Sequence, residues 1–271
     1  MIKLFVTDID GTLLPTASVK VPEKNIEAVQ KMIKAGVKVV IATGRMHSAA
    51  LPIANQLGEP VPIISYNGAL IKSSAGEILH AQYMNSADVI AIINFFEERG
   101  WHLQTYSDDV LYVPKRTDEV KFYEEMIKVH AVEVGWDGLR TRAKDVPKVL
   151  TVSDTPEEAL RRLDEARKFF GGQVEITRSA AQFTEFMALG VSKAGAIKIL
   201  AEKFGIDNAQ IMAIGDSEND LQMITSVGCG VAMGNAVDTV KKVSPHITDT
   251  CENGGFAKAV YKYVLQGNDN A

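Results

Sequence analysis

Asp8 and Asp10 stand two residues apart in the stretch LFVTDIDGT, directly after an apolar run. In extended backbone that spacing sends both carboxylates to the same side. Asp216 and Asp220 follow a second apolar run, Ile211 to Ile214, and Thr43-Gly44 follows a third, Val37 to Ala42. Three acidic or hydroxyl clusters from distant parts of the chain thus begin at the C-terminal ends of apolar strands, the edge of an open α/β sheet at which ligands bind. Gathered around one crevice, these carboxylates repel: two unit charges about 4 Å apart at an effective dielectric of 20 cost roughly 4 kcal/mol. A divalent cation removes that cost. The candidate ligands are oxygens, and His47, His80, His102, His130, His246, Cys229 and Cys251 all lie outside the clusters, so Mg²⁺ is expected rather than zinc or copper. No EF-hand loop is present, which argues against calcium.

Lys193 is the other informative charge. It falls in the first turn of a helix opening at Ser192, where the macrodipole opposes a cation by about 0.3–1 kcal/mol. A phosphate held jointly by Lys193, the Thr43 hydroxyl and the Gly44 amide would account for it, with Gly44 leaving room for an oxygen to approach the backbone.

The elements that must position these groups follow from hydrophobic pattern. Ile2 to Thr7 reads as a strand apolar on both faces, as in a parallel sheet. A helix after Pro22 carries Ile26, Val29 and Ile33 on one stripe and stops at Gly36. The strand Val37 to Ala42 completes a right-handed crossover, and a helix at Ser48 to Leu57 and a strand at Val61 to Ser65 lead to Asn67-Gly68, a hairpin signal. The doubly wound pattern resumes with a helix from Ser192 to Phe204, capped by Ser192 and stopped by Gly205. Strands at Ile211 to Ile214 and Gly228 to Ala232 then alternate with helices at Asn219 to Thr225, Ala236 to Val243 and Phe256 to Leu265. Gly267 to Ala271 reads as a polar fray.

Between them the texture changes to short alternating strands at His102 to Tyr106, Val110 to Val113, Lys148 to Val152, Gln173 to Thr177 and Phe183 to Met187, with a helix at Pro156 to Phe170. The expected organisation is therefore a doubly wound, mainly parallel α/β core formed by residues 1–82 and 190–271, with an α+β insertion at 83–189 carrying an open antiparallel sheet. Phe95-Phe96 and Phe169-Phe170 are expected in the core of the insertion, and Glu97-Glu98 and Glu124-Glu125 on solvated faces.

A chain of 271 residues with 46% apolar and 23% charged residues can bury two cores and is no disordered chain. The net charge of −5 supplies no field that would draw it onto nucleic acid or an anionic membrane, so the expected partners are small; with the phosphate read at Lys193, Thr43 and Gly44, a small phosphorylated metabolite is the expected one. Two cysteines make no disulfide framework, and Asp8 and Asp10 break the N-terminal apolar run before it could serve as a signal or a membrane span; a cytoplasmic location is expected. The oligomeric state stays open.

DIDGT at Asp8 to Thr12, ATGR at Ala42 to Arg45, Lys193, and GDSEND at Gly215 to Asp220 resemble, in order, the four motifs of haloacid dehalogenase-like phosphohydrolases, and the insertion resembles the cap of the Cof-type subfamily. The likeness spans nearly the whole chain. One departure is Ala194 directly after Lys193, where many relatives place glycine; here Gly195 is one residue later. The resemblance implies a Mg²⁺-dependent phosphatase working through an aspartyl-phosphate. It makes Asp8 the nucleophile and Asp10 the general acid and then base. Mg²⁺ would be held by the Asp8 carboxylate, the Asp10 main-chain carbonyl and Asp216. Thr43, Gly44 and Lys193 would hold the phosphoryl group, Asn219 would touch phosphate or substrate, Asp220 would orient Lys193 or the metal shell, and Thr12 would fix the loop after the nucleophile. Sugar phosphates and phosphorylated cofactors such as pyridoxal phosphate or flavin mononucleotide are the implied substrates.

Plainer readings compete at several positions. Asp216 and Asn219 could merely cap the following helix; Arg45 reads as a surface or cap-facing cation, His47 as a helix-surface histidine, and Asn67-Gly68 as a plain type I′ turn outside the site. A phosphomutase or phosphotransferase would use the same intermediate, and a non-catalytic phosphometabolite-binding module would keep the pocket without turnover. The paired Asp8 and Asp10 argue against the last, since a binder needs no acid/base beside a nucleophile.

Overall fold

The computed structural model describes residues 1–16 and 18–265; the expected fray at 267–271 lies outside the described residues. In chain order the elements begin with β1 (Leu4–Thr7), α1 (Glu23–Lys34), β2 (Lys38–Ala42), α2 (His47–Ala54), β3 (Ile63–Ser65), β4 (Leu70–Lys72) and β5 (Ile78–Ala81). There follow α3 (Ser86–Glu98), β6 (Gln104–Ser107), β7 (Val110–Val113), α4 (Asp118–Ile127), β8 (Ala131–Glu133), α5 (Gly135–Arg140), β9 (Val149–Val152), α6 (Pro156–Phe170), β10 (Val174–Thr177) and β11 (Phe183–Ala188). The chain ends with α7 (Lys193–Phe204), β12 (Ile211–Gly215), α8 (Leu221–Ser226), β13 (Cys229–Ala232), α9 (Asp238–Val243), β14 (His246–Ile247) and α10 (Gly255–Val260). The chain divides into two compact units, residues 1–45, 50–79 and 192–271, and residues 46–49 and 80–191.

The first unit holds an eight-stranded sheet in the order β14-β13-β12-β1-β2-β3-β4-β5. From β14 to β3 every neighbour is parallel, and β4 returns antiparallel to β3. This is the expected doubly wound α/β architecture. Leu4, Phe5 and Val6 are wholly buried at its centre, because helices cover both faces of a parallel sheet. β1 is flanked by β2 on one side and β12 on the other, so the winding direction reverses beside it; such a switch point opens a crevice at the carboxyl ends of the strands. Asp8 is the first residue past β1. The Ser192 hydroxyl accepts from Gly195 N at 3.1 Å, and Gly205 ends α7 at φ +63°, as their sequence positions lead one to expect.

The second unit folds around a six-stranded sheet, β10-β11-β9-β6-β7-β8. It is not wholly antiparallel, since β8 runs parallel to β7. One sheet face carries Val149, Val174 and Phe186 against Val89, Phe96 and Phe170 from the helices, with Phe96 and Phe186 edge to face at 5.7 Å. Phe169 departs from expectation: it is 60% exposed, because one helical step of about 100° turns it off the stripe that buries Phe170. Glu124 is also not on a solvated face. Its carboxylate accepts from Ala131 N at 2.6 Å and pairs with Arg116, tying α4 to β8. His47 is buried rather than on a helix surface; within this unit the Asp109 carboxylate accepts from His47 N and Ser48 N and caps α2.

His102 is sealed in this unit, with its Nδ1 accepting from Val152 N at 3.0 Å. Burial disfavours the imidazolium and lowers the pKa to about 4. The unfolded chain therefore takes up the proton first. The resulting stabilisation is complete above about pH 6.5 and falls away as pH drops toward 4, by about 3 kcal/mol in all. Urea midpoints of wild type and His102→Gln measured across pH 7 to 4 should diverge by this amount, the wild type losing the more stability as pH falls.

Candidate active site

β1, β2 and β12 each end in the same crevice, and the residues past them interlock. The buried Lys193 ammonium donates to Asp8 Oδ1 and to Asp220 Oδ1, both at 2.6 Å. The anion that would justify a lysine in the first turn of α7 is thus supplied by two carboxylates of the chain itself. Burial works against the ammonium, but Asp220 and Asp8 outweigh it and hold its pKa above the ordinary lysine value. Asp220 Oδ2 accepts from Asp216 N at 2.9 Å and Ser217 N at 3.0 Å. Ser217 and Asp220 form a capping box, so the helix start is satisfied by this pair and not by Asp216 or Asn219.

Asp216 accepts from the Thr12 hydroxyl at 2.9 Å. Gly11, at φ +74°, permits this approach: a Cβ there would lie 2.6 Å from Asp216 Oδ2. Asn235 braces the same loop, donating to Gly11 O at 2.9 Å while its Oδ1 accepts from Cys251 N at 2.8 Å. Nothing in the sequence around Asn235 signals this role, since the long-range partner is what defines it.

Carboxylate oxygens of Asp8, Asp216 and Asp220 all lie within 4.8 Å of one another. Burial, against the pull of Lys193 and with the push of Asp220, Asp216 and Asp10, sets the Asp8 carboxyl well above its ordinary value. Burial and Asp220 raise Asp216 to about 7, with the Thr12 bond opposing. A cluster that resists its own ionisation in this way fits a bound divalent cation. Asp220 has one oxygen on the Lys193 ammonium and the other on two backbone N–H groups, whereas among the described residues the Asp216 carboxylate meets only the hydroxyls of Thr12 and, at 3.4 Å, Ser217, which makes Asp8 and Asp216 the carboxylates better suited to hold it.

Asp10 points to a different partner. Arg45 grips it with a two-pronged fork, Nε to Oδ2 at 2.8 Å and a terminal nitrogen to Oδ1 at 2.6 Å. Arg45 is 5% exposed and is no surface cation; its own N–H donates to Thr43 Oγ1 at 3.1 Å, so the turn after β2 folds the side chain back over Asp10. Sequence pattern carries no sign of that reversal. Asn219 Nδ2 donates to Asn67 Oδ1 at 2.9 Å, and a Cβ on Gly44 would meet that same oxygen at 2.9 Å. Asn67 therefore belongs among the site residues although its sequence signature is that of a turn. β3 and β4 do form the expected hairpin, but its loop runs from Tyr66 to Ala69 and is longer than a two-residue type I′ turn. Hydrogen bonds join Asp8, Lys193, Asp220 and Asp216 in one group, and Asp10, Thr43 and Asn219 in a second through Arg45 and Asn67, with Gly44 packed against Asn67.

Fold and site together define an α/β enzyme whose acidic crevice opens at the switch point of a doubly wound sheet. A family model described as haloacid dehalogenase-like hydrolase matches residues 5–260. A 5-amino-6-(5-phospho-D-ribitylamino)uracil phosphatase of Bacillus subtilis is 30% identical over 97% of this chain and 96% of its own. A solved haloacid dehalogenase-like hydrolase from Bacteroides thetaiotaomicron is 29% identical, covers 97% of this chain and 99% of its own, and superposes with a TM-score of 0.86. A solved sugar phosphatase of HAD subclass IIB is 26% identical over 96% of this chain and 98% of its own, with a TM-score of 0.85. The chain belongs to the haloacid dehalogenase-like hydrolases and is a phosphoric monoester hydrolase of that family. Among the described residues no helix is long and apolar enough to cross a membrane.

Two outcomes are expected. Mg²⁺ should raise the melting temperature of the wild type, because a ligand bound only by the folded state stabilises it, and Asp216→Asn should remove that rise in thermal melts run with Mg²⁺ and with EDTA. Arg45→Lys keeps the charge but loses the fork, and steady-state kinetics should show kcat down by about 10- to 100-fold with KM little changed.

Proposed function

We propose that the chain hydrolyses small phosphate monoesters, sugar phosphates or phosphorylated cofactors, through an aspartyl-phosphate on Asp8. The observation that carries this reading is the buried Lys193 fixed between Asp8 and Asp220, which holds a carboxylate rigid at the crevice while one of its oxygens stays outside that contact. Lys193 engages Oδ1, so Oδ2 is the attacking atom. Oδ2 forms a bond to phosphorus as the bond to the leaving oxygen breaks, and Asp10, with one oxygen released from the Arg45 fork, gives the leaving oxygen its proton. Water then attacks the phosphorus, Asp10 takes the water's proton, and the bond to Asp8 breaks to release inorganic phosphate. Splitting one displacement into two lets the same acid/base serve both directions.

Lys193, the Thr43 hydroxyl and the Gly44 amide face charge that builds on the phosphoryl oxygens, where preorganised donors act most strongly. Mg²⁺ held by Asp8, Asp216 and the Asp10 carbonyl would add further neutralisation of that charge. Asn219 contacts the phosphoryl group or the substrate, and Asp220 keeps Lys193 in place. Residues 83–189 act as the cap in this reading, with substrate selection as their role. The relatives named above, a phosphatase of a phosphoribitylamino compound and a sugar phosphatase, support small hydroxylated phosphate esters as the substrate class. A cytoplasmic setting agrees with two free cysteines.

A panel of phosphate monoesters assayed for phosphate release tests the reading. Release is expected with Mg²⁺ and not with EDTA, and Asp8→Asn should abolish it; full turnover in that variant would falsify the nucleophile assignment. In ¹⁸O water, labelled inorganic phosphate is the expected product, whereas isomerised sugar phosphate would establish a mutase instead.

A further inference from the structure

Beyond the four sequence motifs, one short segment touches the parts of the site that three of them contribute. Tyr66, Asn67 and Gly68 stand in succession at φ +51°, +56° and +110°. Asparagine tolerates the left-handed region, but an aromatic residue there is an outlier that persists only when its surroundings enforce it. The enforcement is visible. Tyr66 N donates to Arg45 O and Asn67 N to Thr43 O, each at 3.0 Å, which fastens the segment to the turn after β2. On its other side a Cβ at Gly68 would lie 2.3 Å from Ser192 O, at the start of α7 beside Lys193. The Asn67 side chain reaches Asn219, and Gly44 lacks the atom that would displace it.

A turn needs none of this. Turn side chains usually face water, whereas Asn67 is 2% exposed and its partner lies 152 residues away. The bond between the two amides uses one end of Asn219. The other end, Oδ1, is shielded from solvent and has no partner among the described residues, a state that costs free energy unless a ligand completes it. If both amides turn over together, the bond between them survives with donor and acceptor exchanged, and Asn219 then offers Nδ2 at that end. That is the polarity a phosphoryl oxygen requires.

We propose that Asn67 is a positioning residue of the phosphoryl site: it orients the Asn219 amide so that its free end donates to a phosphoryl oxygen, while its strained loop sets the Thr43-Gly44 turn and the start of α7. The proposal rests on the phosphatase reading and adds to it a residue that none of the four motifs contains.

The test uses the full-length protein with Mg²⁺ and p-nitrophenyl phosphate, and compares wild type, Asn67→Gly, Asn219→Ala and the double variant. Asn67→Gly keeps the left-handed backbone and removes the amide. It should lower kcat/KM by about 10- to 100-fold with a near-native melting temperature. The double variant should fall within about 2-fold of the worse single one, since the two residues act as a unit. Losses that multiply, or an Asn67→Gly enzyme within about 2-fold of wild type, overturn the proposal. Asn67→Asp keeps the shape and the acceptor but cannot donate to Asn219 Oδ1, so it should stay folded and remain impaired; recovery of wild-type turnover by aspartate would assign Asn67 a structural role only and also overturn the proposal. A wild type that releases no phosphate overturns the phosphatase reading itself, and the proposal with it, whereas an active wild type matched by an equally active Asn67→Gly removes the proposal alone.

Discussion

A lysine ammonium held out of water between two carboxylates sets the terms for the whole catalytic unit. Removing Lys193, Asp8 and Asp220 from solvent is costly, and the cost is offset only because the three meet at hydrogen-bonding distance and the remaining Asp220 oxygen is satisfied by backbone N–H groups. Without the lysine the carboxylates would be left repelling one another. The arrangement therefore requires β1, α7 and the segment after β12 to converge to within a few tenths of an ångström. The parallel order β12-β1-β2, with its reversal of winding at β1, brings the ends of β1 and β12 side by side, and Lys193 sets the start of α7 against both.

The rest of the first unit can be understood as support for that convergence. The strands that carry Asp8, Thr43 and Asp216 are buried on both faces, so their register is fixed by packing and not by the polar groups at their ends. The polar residues of the site lie past the strand ends, where loops are free to take special backbone shapes. Gly11 and the Tyr66–Gly68 segment are both such loops, and both let one motif approach another more closely than ordinary residues allow.

Much of this was legible in the amino-acid sequence. The apolar runs before Asp8, Thr43 and Asp216 gave the strands of the core, and Ser192 and Gly205 marked both ends of α7. The chemistry of the acidic cluster was legible because the residue types themselves, aspartates following strands, imply a shared edge. What escaped was of two kinds. β4 and β8 have three residues each and β5 four, too few to show a period. Arg45, Asn67 and Asn235 owe their roles to partners distant in sequence, with Arg45 reaching back to Asp10 and Asn67 across to Asn219; a local pattern can only describe such residues as surface or turn. Phe169 and Glu124 show the converse limit, since pairing two like residues in sequence says nothing about which one faces inward.

The capping box at Ser217 and Asp220 has an evolutionary corollary. One carboxylate both starts a helix and anchors the buried lysine, so secondary structure and chemistry share a single side chain there. A change at position 220 therefore bears on two things at once: the acceptor that starts the helix and the charge that balances the buried lysine. Positions that serve one purpose can be exchanged for that purpose alone, whereas this one has to satisfy both together.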